Sequence, residues 1–199
     1  MPGAVWAAAA GAWMLDGRVV HLRDPLPPTR DLVIMLQSDY SWRLPLHTMR
    51  DEHDRIWMWE AIRSGAMRSP TVNEIADGLA KQLFGQPRWT VTRIWSQALG
   101  QWRELDAELL GRGVDVMTLA PDRATNAVFG VLRNMRSGDT RRLNEWVRAL
   151  AAPPARVLST ETGAKDAAAD WLAAAARLNK GAPVTLLTPS GVDSEITVT

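Results

Sequence analysis

The run Asp51-Glu52-His53-Asp54, with Glu60 beyond it, gathers the side-chain types that hold hydrolytic metal ions. If residues 51 onward form a helix, His53 and Glu60 are seven positions apart and share roughly one face. Their spacing matches no ligand pattern, and an acidic first turn complementing a helix dipole calls for the same letters. The segment therefore reads as a solvated helix start, with no metal and no cofactor. His21, His47 and His53 lie in three separate stretches with no serine motif or cysteine nucleophile to serve. Gly111-Arg112-Gly113 lacks the preceding strand and the Lys-Ser/Thr of a phosphate loop, and reads as a helix stop. No catalytic residue is expected, and no enzyme.

Groups suited to binding are more plentiful. Ten tryptophans occur in 199 residues, at positions 6, 13, 42, 57, 59, 89, 95, 102, 146 and 171, beside one tyrosine and two phenylalanines. An indole buries roughly 150 to 250 Å² and carries one N–H that needs a partner, so it serves as core filler or as interface anchor. On a helix Trp57 lies about 200° from Trp59, so both cannot enter one narrow core stripe. Trp42 falls in a nearby proline-bounded loop. Trp42, Trp57 and Trp59 are therefore the candidate partner-binding residues. The competing explanation for Trp57 is packing beneath a hairpin or against residues 4–12.

A different binding chemistry is outlined by residues 71–80, the Gly85-Gln86-Pro87 break and a helix from Arg88, which together trace a helix-turn-helix. Arg88, Thr90, Thr92 and Arg93, beside Trp89, would form the start of its recognition helix. Against it, Lys plus Arg number 23 and Asp plus Glu 22, for a net charge of +1 with acids throughout. Phosphate contacts need a concentrated positive face, so nucleic acid is disfavoured.

The elements that must position these residues are mainly helical. Asp16-Gly17 between apolar arms supplies the positive φ angles of a hairpin turn over Met14 to Leu22, and the Ala run before it fits a short helix. Thr29 can cap a helix carrying Leu32, Val33, Met35 and Leu36. A second helix runs from Asp51 to a stop at Gly65, with Ile56, Trp59, Ile62 and Arg63 on one face. Ser69-Pro70-Thr71 with Glu74 reads as a start with a Thr-x-x-Glu capping box, closed by Gly85. Pro87 opens the longest helix, whose apolar positions repeat from Val91 through Leu99, Trp102 and Leu105 to Leu109. Helices at Pro121 to Arg136 and Thr140 to Ala151 follow, with Met135, Leu143 and Val147 among their inward positions.

The expected fold is thus mainly α: a compact multi-helix bundle with one small N-terminal β-hairpin and a peripheral C-terminal helix and tail. Residues 1–155 form the helical core domain with its hairpin. Residues 156–199 supply a linker, an Ala-rich helix over Asp166 to Asn179 and a Thr/Ser/Pro/Gly-rich tail. The core is expected to hold Ile56, Leu79, Leu83, Ile94, Leu99, Trp102, Leu105, Val128, Leu132, Trp146 and Leu150. The apolar segment Ala4 to Leu15 has no Lys or Arg ahead of it and is only about a dozen residues long, which argues against export and membrane spanning. The absence of cysteine fits a reducing compartment. Lys81, Lys165 and Lys180 are the only lysines among 23 cations, an arginine bias characteristic of a GC-rich genome.

Four strings carry a family resemblance: Leu15-Asp16-Gly17-Arg18-Val19-Val20-His21-Leu22-Arg23-Asp24-Pro25, then RDEHDRIWMWEAIRSGA from Arg50 to Ala66, QLFGQPRW from Gln82 to Trp89, and RGVDVMTLAPDRATNAVF from Arg112 to Phe129. In overall pattern the chain resembles the tail assembly chaperones of tailed bacteriophages that infect actinobacteria. The resemblance implies a non-enzymatic protein of the host cytoplasm that coats the tape measure protein and helps tail tube protein polymerise around it. Self-association is compatible with that role. The family commonly makes short and long products by ribosomal frameshifting, and the composition break after Pro154 suits either. Two alternatives stand beside it: a structural head or tail component of the particle, and a helix-turn-helix packaging or regulatory protein.

Overall fold

Gly17, at a φ of 82°, occupies the left-handed region that side chains resist, and its turn joins β2 (Ala12–Leu15) to β3 (Arg18–His21). The computed structural model describes residues 6–9, 11–15 and 17–158, so Asp16 itself lies outside the described residues. The antiparallel register sets Trp13 opposite Val20 and Leu15 opposite Arg18. Trp13, Leu15 and Val20 are buried while Val19 and His21 face out, the alternation of a sheet with one covered face. The Ala run is not helical: β1 (Trp6–Ala9) pairs antiparallel with β2 to make a three-stranded sheet. Alanine's helix propensity cannot nucleate a helix over so few residues, whereas the free edge of β2 offers ready hydrogen bonds.

The sheet is tied to the helices beyond it. Leu22 bridges to Met49, with the Arg23 N–H donating to the Thr48 carbonyl at 2.8 Å and the Arg50 N–H to the His21 carbonyl at 2.9 Å. The helices are α1 (Thr29–Leu36), α2 (Arg43–Thr48), α3 (Glu52–Arg63), α4 (Ser69–Phe84), α5 (Arg88–Gly100), α6 (Trp102–Gly111), α7 (Pro121–Met135) and α8 (Thr140–Ala151), with a 3-10 turn at Val116–Thr118. Helix α2 was not expected. Its Pro45 sits in the first turn, where a missing N–H costs nothing.

Helices α4, α5 and α7 pack on one another at the centre, with α6 against α7, α8 against α5, and α1 against α2 and α5. Between them lie Ile75, Leu79, Phe84, Ile94, Trp95, Val128 and Leu132, all buried. The indole of Trp95 donates to Thr125 Oγ1 at 3.0 Å, and that hydroxyl donates to the Pro121 carbonyl at 2.8 Å, so the buried N–H is satisfied.

Several expectations are corrected. The long helix breaks after Gly100, where Gln101 leaves helical geometry at φ −135° and ψ 38°. A glycine inside a helix lowers its local stability by about 1 kcal/mol, enough to let tertiary packing redirect the chain. Leu99, just before the break, is 47% exposed, and Trp102 and Trp146 are only half-buried. Ile56 is 50% exposed, because α3 turns Asp54 and Met58 inward instead. Met135 and Val147 also face out. Thr29 is no cap: it is the first residue of α1, and its hydroxyl donates to the Leu119 carbonyl at 2.6 Å. The Thr71/Glu74 box lies inside α4, which starts two residues earlier with no side-chain cap.

By contrast, Leu79, Leu83, Ile94, Leu105, Val128, Leu132 and Leu150 are buried as expected. Among the described residues, no helix is long and apolar enough to cross a membrane. The chain divides into two units, residues 1–152 and 153–199. Of the second, residues 155–158 form one helical turn, while the expected Ala-rich helix with Trp171 and the tail lie outside the described residues.

Candidate protein-docking surface

The acidic turn at the start of α3 does not gather ligands. Asp51, Glu52, His53 and Glu60 face solvent, whereas Asp54 is buried and accepts two hydrogen bonds from the Arg18 guanidinium, at 3.0 Å and 2.6 Å. The expectation of a wholly solvated acidic turn therefore fails at Asp54. Among the described residues no group of three or more His, Cys, Asp and Glu side chains is placed to hold a metal ion.

The same guanidinium lies 4.5 Å from the centroid of the Trp57 ring. A charged group that is both hydrogen-bonded and stacked holds a ring in place, and Trp57 is half-buried between hairpin and helix. Trp57 thus packs beneath the hairpin, through Arg18 of β3. It does not join the other two candidate residues.

Trp42 and Trp59 do meet. Their rings pack edge to face with centroids 5.3 Å apart, and Tyr40 continues the row 5.7 Å from Trp42. The geometry follows from the chain: α3 is held by Met58 and Asp54 on its inner side, which leaves Ile56 and Trp59, three residues apart, on its outer side. Trp42 enters from the loop that leads into α2. Trp59 is 45% exposed and Tyr40 58%, with Trp42 half-buried beneath them. The Arg43 guanidinium stands 5.9 Å from the centroids of both Tyr40 and Trp42. Among the described residues, neither Trp42 nor Trp59 donates its indole N–H to a protein acceptor.

Beside this row lies an open groove of about 390 Å³, lined by Trp42, Ile62, Met67 and Val72 with Arg68 and Ser69 at its edge. Three aromatic rings, an exposed isoleucine and an open groove of mixed polarity form a surface with large apolar side chains and unused donors, a composition found at interface hot spots. Tyr40 was missed by sequence reasoning. Its one signal was its place two residues before Trp42 in a short loop.

The helix-turn-helix outline meets a different fate. Arg88 forms an ion pair with Asp77 at 2.7 Å and donates to the Asn73 side chain at 2.9 Å. Thr90 is buried. The Trp89 indole donates to the Ala151 carbonyl at 3.1 Å, and Arg93 donates to the carbonyls of Ala149 and Leu150 at 2.9 Å and 3.0 Å and also to that of Ala152. These contacts satisfy the terminal carbonyls of α8 and lay its C-terminal end over the start of α5, where base edges would have to be read. Compared with protein-family models, with curated proteins and with solved structures, the chain matches none.

Proposed function

We propose that this chain is a non-enzymatic tail assembly chaperone of a tailed bacteriophage, acting in the host cytoplasm by binding the tape measure protein and promoting tail tube assembly around it. The resemblance of residues 15–129 to that family supplies the identity of the partners. The observation that carries a binding role is the ring row Tyr40, Trp42 and Trp59, exposed at Tyr40 and Trp59 and flanked by an open groove, with the indole donors left unused among the described residues. Solvent contact at such rings is costly unless a partner covers them, and burying them against an apolar chain recovers that cost. Trp57 is left out of this surface, because the Arg18 guanidinium that Asp54 holds already covers its ring.

The test is a pull-down with the tagged full-length chain from phage-infected cells. The tape measure protein or the tube protein is expected in the eluate, and both should be lost with Trp42→Ala plus Trp59→Ala. Recovery of DNA or of the packaging terminase, or a stable place for the chain in purified particles, would overturn the proposal.

A further inference from the structure

A second groove lies away from the aromatic row, over the outer face of α7 between the end of α6 and the start of α8, with a volume of about 510 Å³. Leu109, Val131 and Leu143 give it an apolar floor, and Ala127 and Gly130 supply the stretch where the floor is only backbone deep. Gly130 is helical, and a Cβ placed on it would meet nothing within 4 Å. Packing inside this chain therefore does not require glycine there, although glycine in a helix interior is destabilising relative to alanine. The space above it is open.

The rim is one-sided in charge. Arg112 and Arg133 line the groove together with Asn126 and Asn134, and among the described residues that line it there is no carboxylate. Arg133, Asn126 and Asn134 are exposed, and their side chains have no partner among the described residues. Among the described residues the Arg112 side chain is held by Glu108 of the preceding helix alone, an exposed pair of the kind that exchanges readily for another anion. An apolar floor under the free Arg133 guanidinium, the exchangeable Arg112 and two amide side chains is complementary to a chain that presents apolar side chains flanked by carboxylates.

The backbone of that chain is constrained too. An extended segment laid over an apolar floor would leave peptide N–H and C=O groups facing side chains that cannot bond them, whereas a helix satisfies its own. A floor of Ala127 and Gly130 lets such a helix approach closely, as in helix-in-groove recognition. We infer that the α6–α7–α8 groove docks an acidic amphipathic helix of a partner protein. The inference rests on this groove alone and is independent of the tail assembly reading.

The probe is a fluorescein-labelled amphipathic peptide of about 16 residues, with leucine at every third and fourth position and glutamate elsewhere, titrated into the full-length chain. Its counterpart carries lysine in place of every glutamate. The glutamate peptide is expected to bind at least about tenfold more tightly than the lysine peptide. Gly130→Leu, which fills the floor, and Arg133→Glu, which inverts the rim, should each weaken it by about tenfold or more at an unchanged melting temperature. Trp42→Ala should leave this binding unchanged. Equal affinity for the two peptides, no binding of either, or full affinity in a folded Arg133→Glu protein would overturn the proposal. So would loss of binding through Trp42→Ala, or a dimer of this chain that Gly130→Leu dissolves.

Discussion

Two aromatic clusters of nearly equal ring spacing occupy opposite ends of the range of uses open to a tryptophan. At Trp146 the ring stacks on Phe129, with centroids 5.6 Å apart and planes 8° apart, and the Arg136 guanidinium lies 4.8 Å from its centroid. Its indole donates to Gln97 Oε1 at 2.8 Å, and Arg136 donates to that same oxygen at 3.2 Å and to the Leu132 carbonyl at 3.0 Å. At Trp42 and Trp59 the rings also pack and an arginine also stands near, but the indole donors go unused within the described chain. Ring geometry alone does not separate the two. What separates them is the fate of the polar atoms together with exposure: a cluster whose donors are paired internally is structure, and one whose donors are left over on an exposed ring is suited to a partner, whereas the unpartnered Trp13 Nε1 is buried in the core.

The largest effect is expected where everything is paired. Trp146→Ala removes a stack, a cation–π contact and a hydrogen bond at a half-buried site, and should lower unfolding stability by about 2 to 4 kcal/mol. Trp146→Phe, which keeps a ring to stack but no donor, should recover part of that loss. Urea denaturation of both variants measures it. A Trp146→Ala protein within about 0.5 kcal/mol of the parent would remove the distinction between the clusters.

Trp57 sits between the extremes: sequence reasoning named it both as a candidate contact and as a residue packed beneath the hairpin, and the hairpin's Arg18 guanidinium lies on its ring. Periodicity correctly separated Trp57 from Trp59, because the helical angle is a local property. It did not reveal which side faced inward. Ile56, Trp59 and Ile62 make the more apolar stripe, yet α3 buries Asp54, and burial of that carboxylate depends on Arg18, 36 positions earlier in the chain. A buried charge needs its partner, and a partner supplied by a remote hairpin is invisible in the helix's own letters. Helix ends were legible for the opposite reason. Gly65 and Gly85 stop their helices at φ 76° and 73°, where the conformation and the residue suited to it are at the same position. The break after Gly100 was not legible, since glycine there permits an interruption without dictating one.

Trp57→Ala should therefore behave as a structural mutation of intermediate size, costing about 1 to 3 kcal/mol. Arg18→Ala should cost a comparable amount by leaving the Asp54 carboxylate without its donors. Because one guanidinium holds both groups, the two losses should not add. A double-mutant cycle is expected to show a coupling of at least about 0.5 kcal/mol. Strict additivity would mean that the hairpin does not hold Trp57, and would return that residue to the docking surface.

The smallest effect on stability belongs to Trp59, and it is the sharpest test of the comparison. The ring is 45% exposed, its one aromatic neighbour here is Trp42, and its N–H bonds nothing among the described residues. Truncation removes an edge-to-face contact worth about 0.5 to 1.5 kcal/mol and also withdraws apolar surface from water. The two terms oppose each other, so Trp59→Ala should shift unfolding stability by less than about 1 kcal/mol in either direction. Binding should respond in the reverse order, since an anchor is covered fully only in the complex and its truncation there costs about 2 kcal/mol or more. Thermal melting and partner co-purification measured on the same Trp59→Ala protein separate the cases. A stable protein that no longer retains the proposed partner places the anchor on α3. A protein destabilised as much as Trp146→Ala would show that unused donors do not mark a binding surface, and a stable protein that still binds fully would move the interface elsewhere.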